Sequence, residues 1–356
     1  MNAVYEPKVL YDKFQKHKID EKLSISIGSS VVIDPSKIEC LKSTKRSSIY
    51  KLFLRTKHDQ YPIIFKIYNS SSYKNNVEIN VYKKASSILR EFLPQIYLIE
   101  ENTIETWVFM EFVHQIRGQL TFTPKHFDYI IPTLAKLHAE TFEDNFTKNK
   151  EIWKDWLPQY NSKGMSAERS KYIEKTLIFL DDAVTDKRVR DIVKPHYRPL
   201  VKAYQNGPDF FPELVVNGSS ITHGDLHMQN ICCRDVTSNA PWNIQFIDWE
   251  SAKLAPVWID MIVLVEILIA FRKDWQSQGD EIRSHTTELY AKEMNKYGIM
   301  FKTPPLDLYK MAYLQRTLEK GLHTQLRRLF DNRGGELLPY HLEKISTWGK
   351  ELGIYK

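Results

Sequence analysis

Asp225 and Asn230 stand five apart in Ile221-Thr-His-Gly-Asp-Leu-His-Met-Gln-Asn230, and Asp248 follows in Ile247-Asp-Trp-Glu250. Phosphoryl transfer from ATP asks for a carboxylate beside the accepting hydroxyl and oxygen ligands for magnesium, because its barrier is chiefly one of charge and positioning. These three side chains supply those groups. On a loop, the five-residue separation lets one of the first pair face a hydroxyl while the other faces a metal. Asp248 ends an apolar stretch with strand character, a rigid place for a metal ligand. The competing reading is that such residues cap helices or order turns, as Asp and Asn on loops commonly do.

Groups of this kind need elements that hold them. From Ile38 to Phe112 the pattern is strand-rich: IECL, IYKLFL and YPIIFKIY are separated by polar stretches at 44–48 and 56–60, and QIYLIE and ETWVFMEFV follow. The expected element is a five-stranded antiparallel sheet. After a polar turn at 69–72, residues 74–92 take helical period, with Val77, Val81, Ile88 and Phe92 on one stripe, until Pro94. Helical periodicity then dominates at 129–142, 167–182, 189–204, 257–274, 306–329 and 339–352. Between them, ICC and NIQFIDW read as short strands flanking a polar turn at 237–242. The fold class expected is α+β and bilobal, with a small sheet-plus-helix lobe over 1–113 and a large, mainly helical lobe over 114–356.

The small lobe carries its own chemical signal. Lys66 lies on a strand bordered by apolar residues, on the same side as Ile64 and Tyr68. Glu78 lies inside the apolar arc of the helix, between Val81 and Tyr82, where an unpaired carboxylate would be costly. The two are expected to pair.

HGDLHxxN followed by an IDWE segment resembles the aminoglycoside phosphotransferase and choline-kinase-like family, small-molecule relatives of the protein kinases. The resemblance runs in order from about residue 38 to 265 and is strongest at 221–250. It implies a protein-kinase-like fold with Asp225 as catalytic base and Asn230 and Asp248 as magnesium ligands. It also implies that Lys66 holds the ATP phosphates, that Glu78 holds Lys66, and that Met110, Glu111, Phe112 and Val113 form the adenine-binding hinge between the lobes, with ATP in the cleft. His138 reads as a core histidine, while His223 and Asp260 read as supports of the catalytic loop. The acceptor implied is a small hydroxyl-bearing molecule: an aminoglycoside, choline or another amino-alcohol, or a sugar-like metabolite. A cationic acceptor would use acidic or aromatic groups, for which Trp153, Trp156, Trp249, Trp258, Glu250 and Glu266 are available.

The chain departs from the protein-kinase pattern in two places. The turn matching the glycine-rich phosphate loop is Lys42-Ser-Thr-Lys-Arg-Ser-Ser48, without glycine, so hydroxyls, amides or the charges of Lys45 or Arg46 would have to serve. Trp-Glu follows Asp248 in place of Phe-Gly, and no Ala-Pro-Glu segment lies downstream, which counts against a protein substrate. Two other readings stay open. His223, Asp225 and His227 alternate, so on a strand they could bind zinc as a metal-dependent hydrolase. The chain could also be a catalytically silent binding module, although all five catalytic positions are filled.

Composition narrows the rest. Lys and Arg number 50 against 44 Asp and Glu, a net charge of +6 with no basic block that would suggest nucleic-acid binding. Cys40, Cys232 and Cys233 have no zinc-ligand spacing and read as reduced thiols. The charged start and the short apolar run over 261–271 point away from a signal peptide and a membrane span, giving a cytosolic expectation.

Overall fold

Ser47–Arg55 alternates buried and half-buried residues along its length, the mark of a strand with one face in a core. In the computed structural model, which describes residues 5–69, 73–236 and 242–355, it is the third strand of a six-stranded sheet. The strands are β1 (Val32–Ile33), β2 (Glu39–Ser43), β3 (Ser47–Arg55), β4 (Gln60–Asn69), β5 (Ile96–Glu101) and β6 (Glu105–Glu111). Their order is β1-β3-β4-β6-β5, with β2 also on β3, and every pairing is antiparallel. Five of these strands are those expected, and β1 adds a two-residue edge.

The two faces of the sheet have different tasks. One packs Tyr50, Leu52, Leu54, Ile63, Phe65, Ile67, Trp107 and Phe109 against Leu10 and Phe14 of α1 (Pro7–Lys16) and Ile19 and Leu23 of α2 (Ile19–Ile27). Phe65 stacks on Phe109 at 4.5 Å between centroids and meets Phe14 edge-on at 5.0 Å. Each of these two helices fully buries only one i, i+4 pair, with Tyr11 and Ile27 half-buried against the same core, a short apolar stripe within nine or ten residues. The other face meets α3 (Tyr73–Lys84). This helix stops earlier than expected. After Lys84, the Ala85 carbonyl accepts from both Ile88 and Leu89, and the Ser86–Ser87 pair, whose side chains compete for backbone groups, sits in the resulting turn.

Four short strands follow: β7 (Ser219–Thr222), β8 (Ile231–Cys233), β9 (Ile244–Phe246) and β10 (Lys253–Pro256). β7 pairs with β10 and β8 with β9, both antiparallel. The turns expected at 69–72 and 237–242 lie, but for Asn69 and Trp242, outside the described residues.

The chain divides into two compact units. The first comprises Met1–Thr121, Glu151–Trp156 and Met228–Ser251, hence the large sheet and the β8–β9 hairpin. The second comprises Phe122–Lys150, Leu157–His227 and Ala252–Lys356; it holds the β7–β10 ladder and the helices that begin with α4 (Phe127–Glu140). Two of the expected long helices contain a widened π turn, at Ile262–Glu266 and Thr317–Gly321. A helix at Gly279–Asn295 was not expected: among its buried residues are Arg283, Thr286, Thr287 and Glu293, so its inward face does not read as apolar. All eight tryptophans are buried. No described helix is long and apolar enough to cross a membrane.

Candidate active site

In the first unit, β4 sends Ile64, Lys66 and Tyr68 to the face opposite the α1–α2 core. Lys66 sits between Ile49 of β3 and Val108 of β6, and Ile64 is level with Met110. The Lys66 ammonium donates to both carboxylate oxygens of Glu78, at 2.9 and 2.7 Å, and lies 3.5 Å from Asp248 Oδ1. The Tyr82 hydroxyl donates to the same glutamate at 2.8 Å. Burial alone would pull the Lys66 pKa down, but Glu78, Asp248 and Glu250 outweigh it and hold the ammonium above its ordinary value. The expected ion pair is therefore present and buried.

The β8–β9 hairpin brings Asn230 and Asp248 to adjacent strand ends. Ile231 pairs with Phe246, and the Ile247 N–H donates to the Asn230 carbonyl at 3.0 Å, carrying the ladder one step further. Asn230 is buried. Asp248 takes a left-handed backbone conformation, φ 67°, which a side-chain-bearing residue adopts at a cost. Trp249, fully buried, locks the turn by donating its indole N–H to the Phe246 carbonyl at 2.8 Å. Arg46, from the glycine-free turn between β2 and β3, donates to Glu250 at 2.5 Å.

Met110, Glu111, Phe112 and Val113, expected at the hinge, fall at and just past the end of β6. Met110 is buried on the Lys66 face. Glu111 accepts two hydrogen bonds from Arg234, at 2.8 and 2.5 Å, and one from the Gln95 N–H at 3.1 Å. Although burial opposes it, Arg234 and that N–H hold this carboxyl below its usual range. Phe112 lies under the Lys51 ammonium at 4.7 Å, and Val113 is half-exposed. Neither Arg46–Glu250 nor Glu111–Arg234 was signalled by the sequence.

In the second unit, β7 runs into the loop that carries Asp225. Asp260, fully buried, accepts from the His223 N–H and the Gly224 N–H, both at 2.7 Å, and from His138 Nε2 at 3.2 Å. The Tyr290 hydroxyl lies 2.7 Å from the other ring nitrogen of His138. Burial would raise the Asp260 pKa, yet His138, His223 and the Gly224 N–H hold the carboxyl below its usual range. Gly224 turns the chain at φ 77°, and the Asp225 N–H then points at His223 Nδ1, 3.4 Å away. His227 Nε2 stands 3.6 Å from Asp225 Oδ2. The strand ends at Thr222, so the alternation of His223, Asp225 and His227 does not align them, and no group of three His, Cys, Asp or Glu among the described residues could hold a metal ion. That removes the geometric basis of the zinc reading.

The groups available for a cationic acceptor are otherwise engaged. Glu266 is fully buried and receives Arg283 at 2.8 and 2.9 Å and the Tyr309 hydroxyl at 2.8 Å. Glu250 holds Arg46. Trp153, Trp156, Trp249 and Trp258 are core residues.

A family model described as the ecdysteroid kinase-like family matches residues 73–298, well over half of the chain. The chain belongs to that family. Among solved structures, it resembles an ethanolamine kinase of Plasmodium vivax at 16% identity and TM-score 0.51, over 98% of this chain and 91% of that one. A choline kinase of Cryptosporidium parvum matches at 13% identity and TM-score 0.55, over 90% and 92%. Such identities establish a shared fold, and the kinase-like α+β class read from the sequence is the one found. No curated protein sequence matches.

Proposed function

We propose that this family member is a small-molecule kinase that transfers the γ-phosphate of ATP to an alcohol hydroxyl, with Asp225 as base. The observation that carries the reading is the buried Lys66–Glu78 pair with Asp248 beside the same ammonium. The residues suit magnesium–ATP. Asp248 and Asn230 offer hard oxygen donors from neighbouring strand ends, the set magnesium prefers. Lys66 offers a fixed cation to phosphate oxygens, and Ile64, Val108 and Met110 beside it offer an apolar wall to a purine. Bound magnesium–ATP supplies the phosphoryl group and a charge-neutralised leaving group. Asp225 takes the hydroxyl proton of the acceptor as its oxygen becomes the nucleophile. Asp260 keeps the loop in the shape that presents Asp225, and Glu78 keeps Lys66 extended.

The test is coupled ADP release over a panel of amino-alcohols, aminoglycosides, sugar-like metabolites and ecdysteroids, the last because the family description names them. Asp225→Asn is expected to abolish acceptor-dependent release while AMP-PNP binding survives, since the carboxylate acts on the acceptor. Near-normal turnover in that variant sinks the base assignment. Nucleotide binding without turnover on any acceptor would favour the silent binding module.

A further inference from the structure

Two cations of the second unit, Arg316 within electrostatic reach of Asp225 and Lys253 within reach of Asp260 and of Arg316, have no hydrogen-bonded or ion-paired partner. Lys253 opens β10 directly opposite Thr222, the residue before His223. Arg316 ends the helical segment Pro305–Arg316 at the start of a π turn. The helix continues through Thr317–Gly321 into Leu322–Phe330, so Arg316 does not stand at a free carboxyl end where a cation would be favoured. Among the described residues neither side chain forms a hydrogen bond or an ion pair, although both are only partly exposed. Of the nearby carboxylates, Asp225 attracts Arg316 without a hydrogen bond or ion pair to it, and the other two are committed. Glu319 is taken by the Tyr160 hydroxyl, by Gln315 at 2.7 Å and by Arg169 at 3.5 Å. Asp260 is taken by the loop amides and His138.

The electrostatics agree with the geometry. Burial pulls the Lys253 ammonium down, with Arg316 and Lys320 adding repulsion against the pull of Glu319 and Asp260. Burial also pulls the Arg316 guanidinium down, against attraction from Asp225, Glu319 and Asp260. Unpaired, partly desolvated cations cost stability, and a chain that keeps two together gains nothing structural from them.

We propose that Lys253 and Arg316 form an anion-binding subsite for the acceptor, which therefore carries a carboxylate, sulfate or phosphate in addition to its reacting hydroxyl. The proposal rests on the kinase reading for the word acceptor, but the subsite itself does not. It also disfavours choline- and ethanolamine-like acceptors, whose cationic heads would face like charge.

Calorimetric titration of the full chain with sodium sulfate, at ionic strength held constant with chloride, tests it. Saturable binding is expected, weakened about tenfold or more in Arg316→Gln and in Lys253→Met, and retained in Lys253→Arg. Ligand-free Lys253→Met is expected to melt no lower than the wild type, which separates lost binding from lost folding. Equal sulfate affinity in the wild type and both variants overturns the proposal. So does loss of the wild-type signal when magnesium and AMP-PNP are added, which would assign the anion to a nucleotide phosphate site. Because the titration needs no turnover, its outcome is independent of whether any acceptor is phosphorylated.

Discussion

Lys66 and Glu78 are 8% and 2% exposed at their side chains, so neither charge can turn to water if the other is removed. Lys66→Ala and Glu78→Ala are each expected to cost about 3–5 kcal/mol in denaturant unfolding and to impair ATP turnover. The double variant should lose little more than the worse single one. Fully additive losses in both measurements would mean that the two residues act separately. Asp248 poses a second question at this scale, because its left-handed backbone is strained. Asp248→Gly should be more stable than Asp248→Ala, which lacks the same carboxylate, by about 1 kcal/mol, and neither should keep magnesium-dependent AMP-PNP binding. Equal stability of the two removes the case for strain; a variant that still binds removes the case for a metal ligand. The Lys66–Glu78 pair was legible because each charge sits in an apolar context that only a partner makes tolerable. Arg46–Glu250 and Arg234–Glu111 were not, because their partners are 204 and 123 residues apart and each alone looks like solvated surface.

The helices of the second unit show where periodicity informs and where it fails. Residues 339–352 read as a helix and form one at Leu338–Glu351, which sets the buried His341 against Pro305–Arg316, its Nδ1 2.6 Å from the Tyr313 hydroxyl. Burial, with a contribution from Arg316, pushes the His341 pKa down to about 3. The unfolded chain therefore takes up a proton near pH 6.5 that the folded protein refuses until about pH 3. Stability is full above the unfolded value and falls through that window as the pH drops, with a slope of up to about 1.4 kcal/mol per pH unit. His341→Gln should flatten the slope in denaturant titrations between pH 6.5 and 4.5. An unchanged slope would mean that other groups dominate. The helix Gly279–Asn295 stayed illegible for a related reason: Arg283 and Thr286 are tolerated inside because Glu266 and backbone carbonyls receive them, and those partners lie on another element or appear only once the helix exists. The loop around Asp225 was legible as a motif, whereas its anchoring by Asp260, 36 residues on from Gly224, takes a definite partner and geometry only with the fold.

At the scale of the molecule, the first unit is discontinuous, since the hairpin that bears Asn230 and Asp248 comes from Met228–Ser251. The aromatic core under the sheet is made wholly by residues before Thr121. A fragment of residues 1–121 is therefore expected to keep strand-rich circular dichroism, melt below the full chain, and bind no magnesium–AMP-PNP. Full nucleotide affinity in the fragment would show that the hairpin is dispensable. Both the fragment and the full chain can be followed without a label. With all eight tryptophans buried, four in the hairpin unit's later segments at 153, 156, 242 and 249, native emission should lie well to the blue of free indole. Either unit, on opening, would then shift that light to the red, so a single wavelength ratio reads the integrity of both, and a preparation that glows red before any denaturant is added has already lost part of its interior.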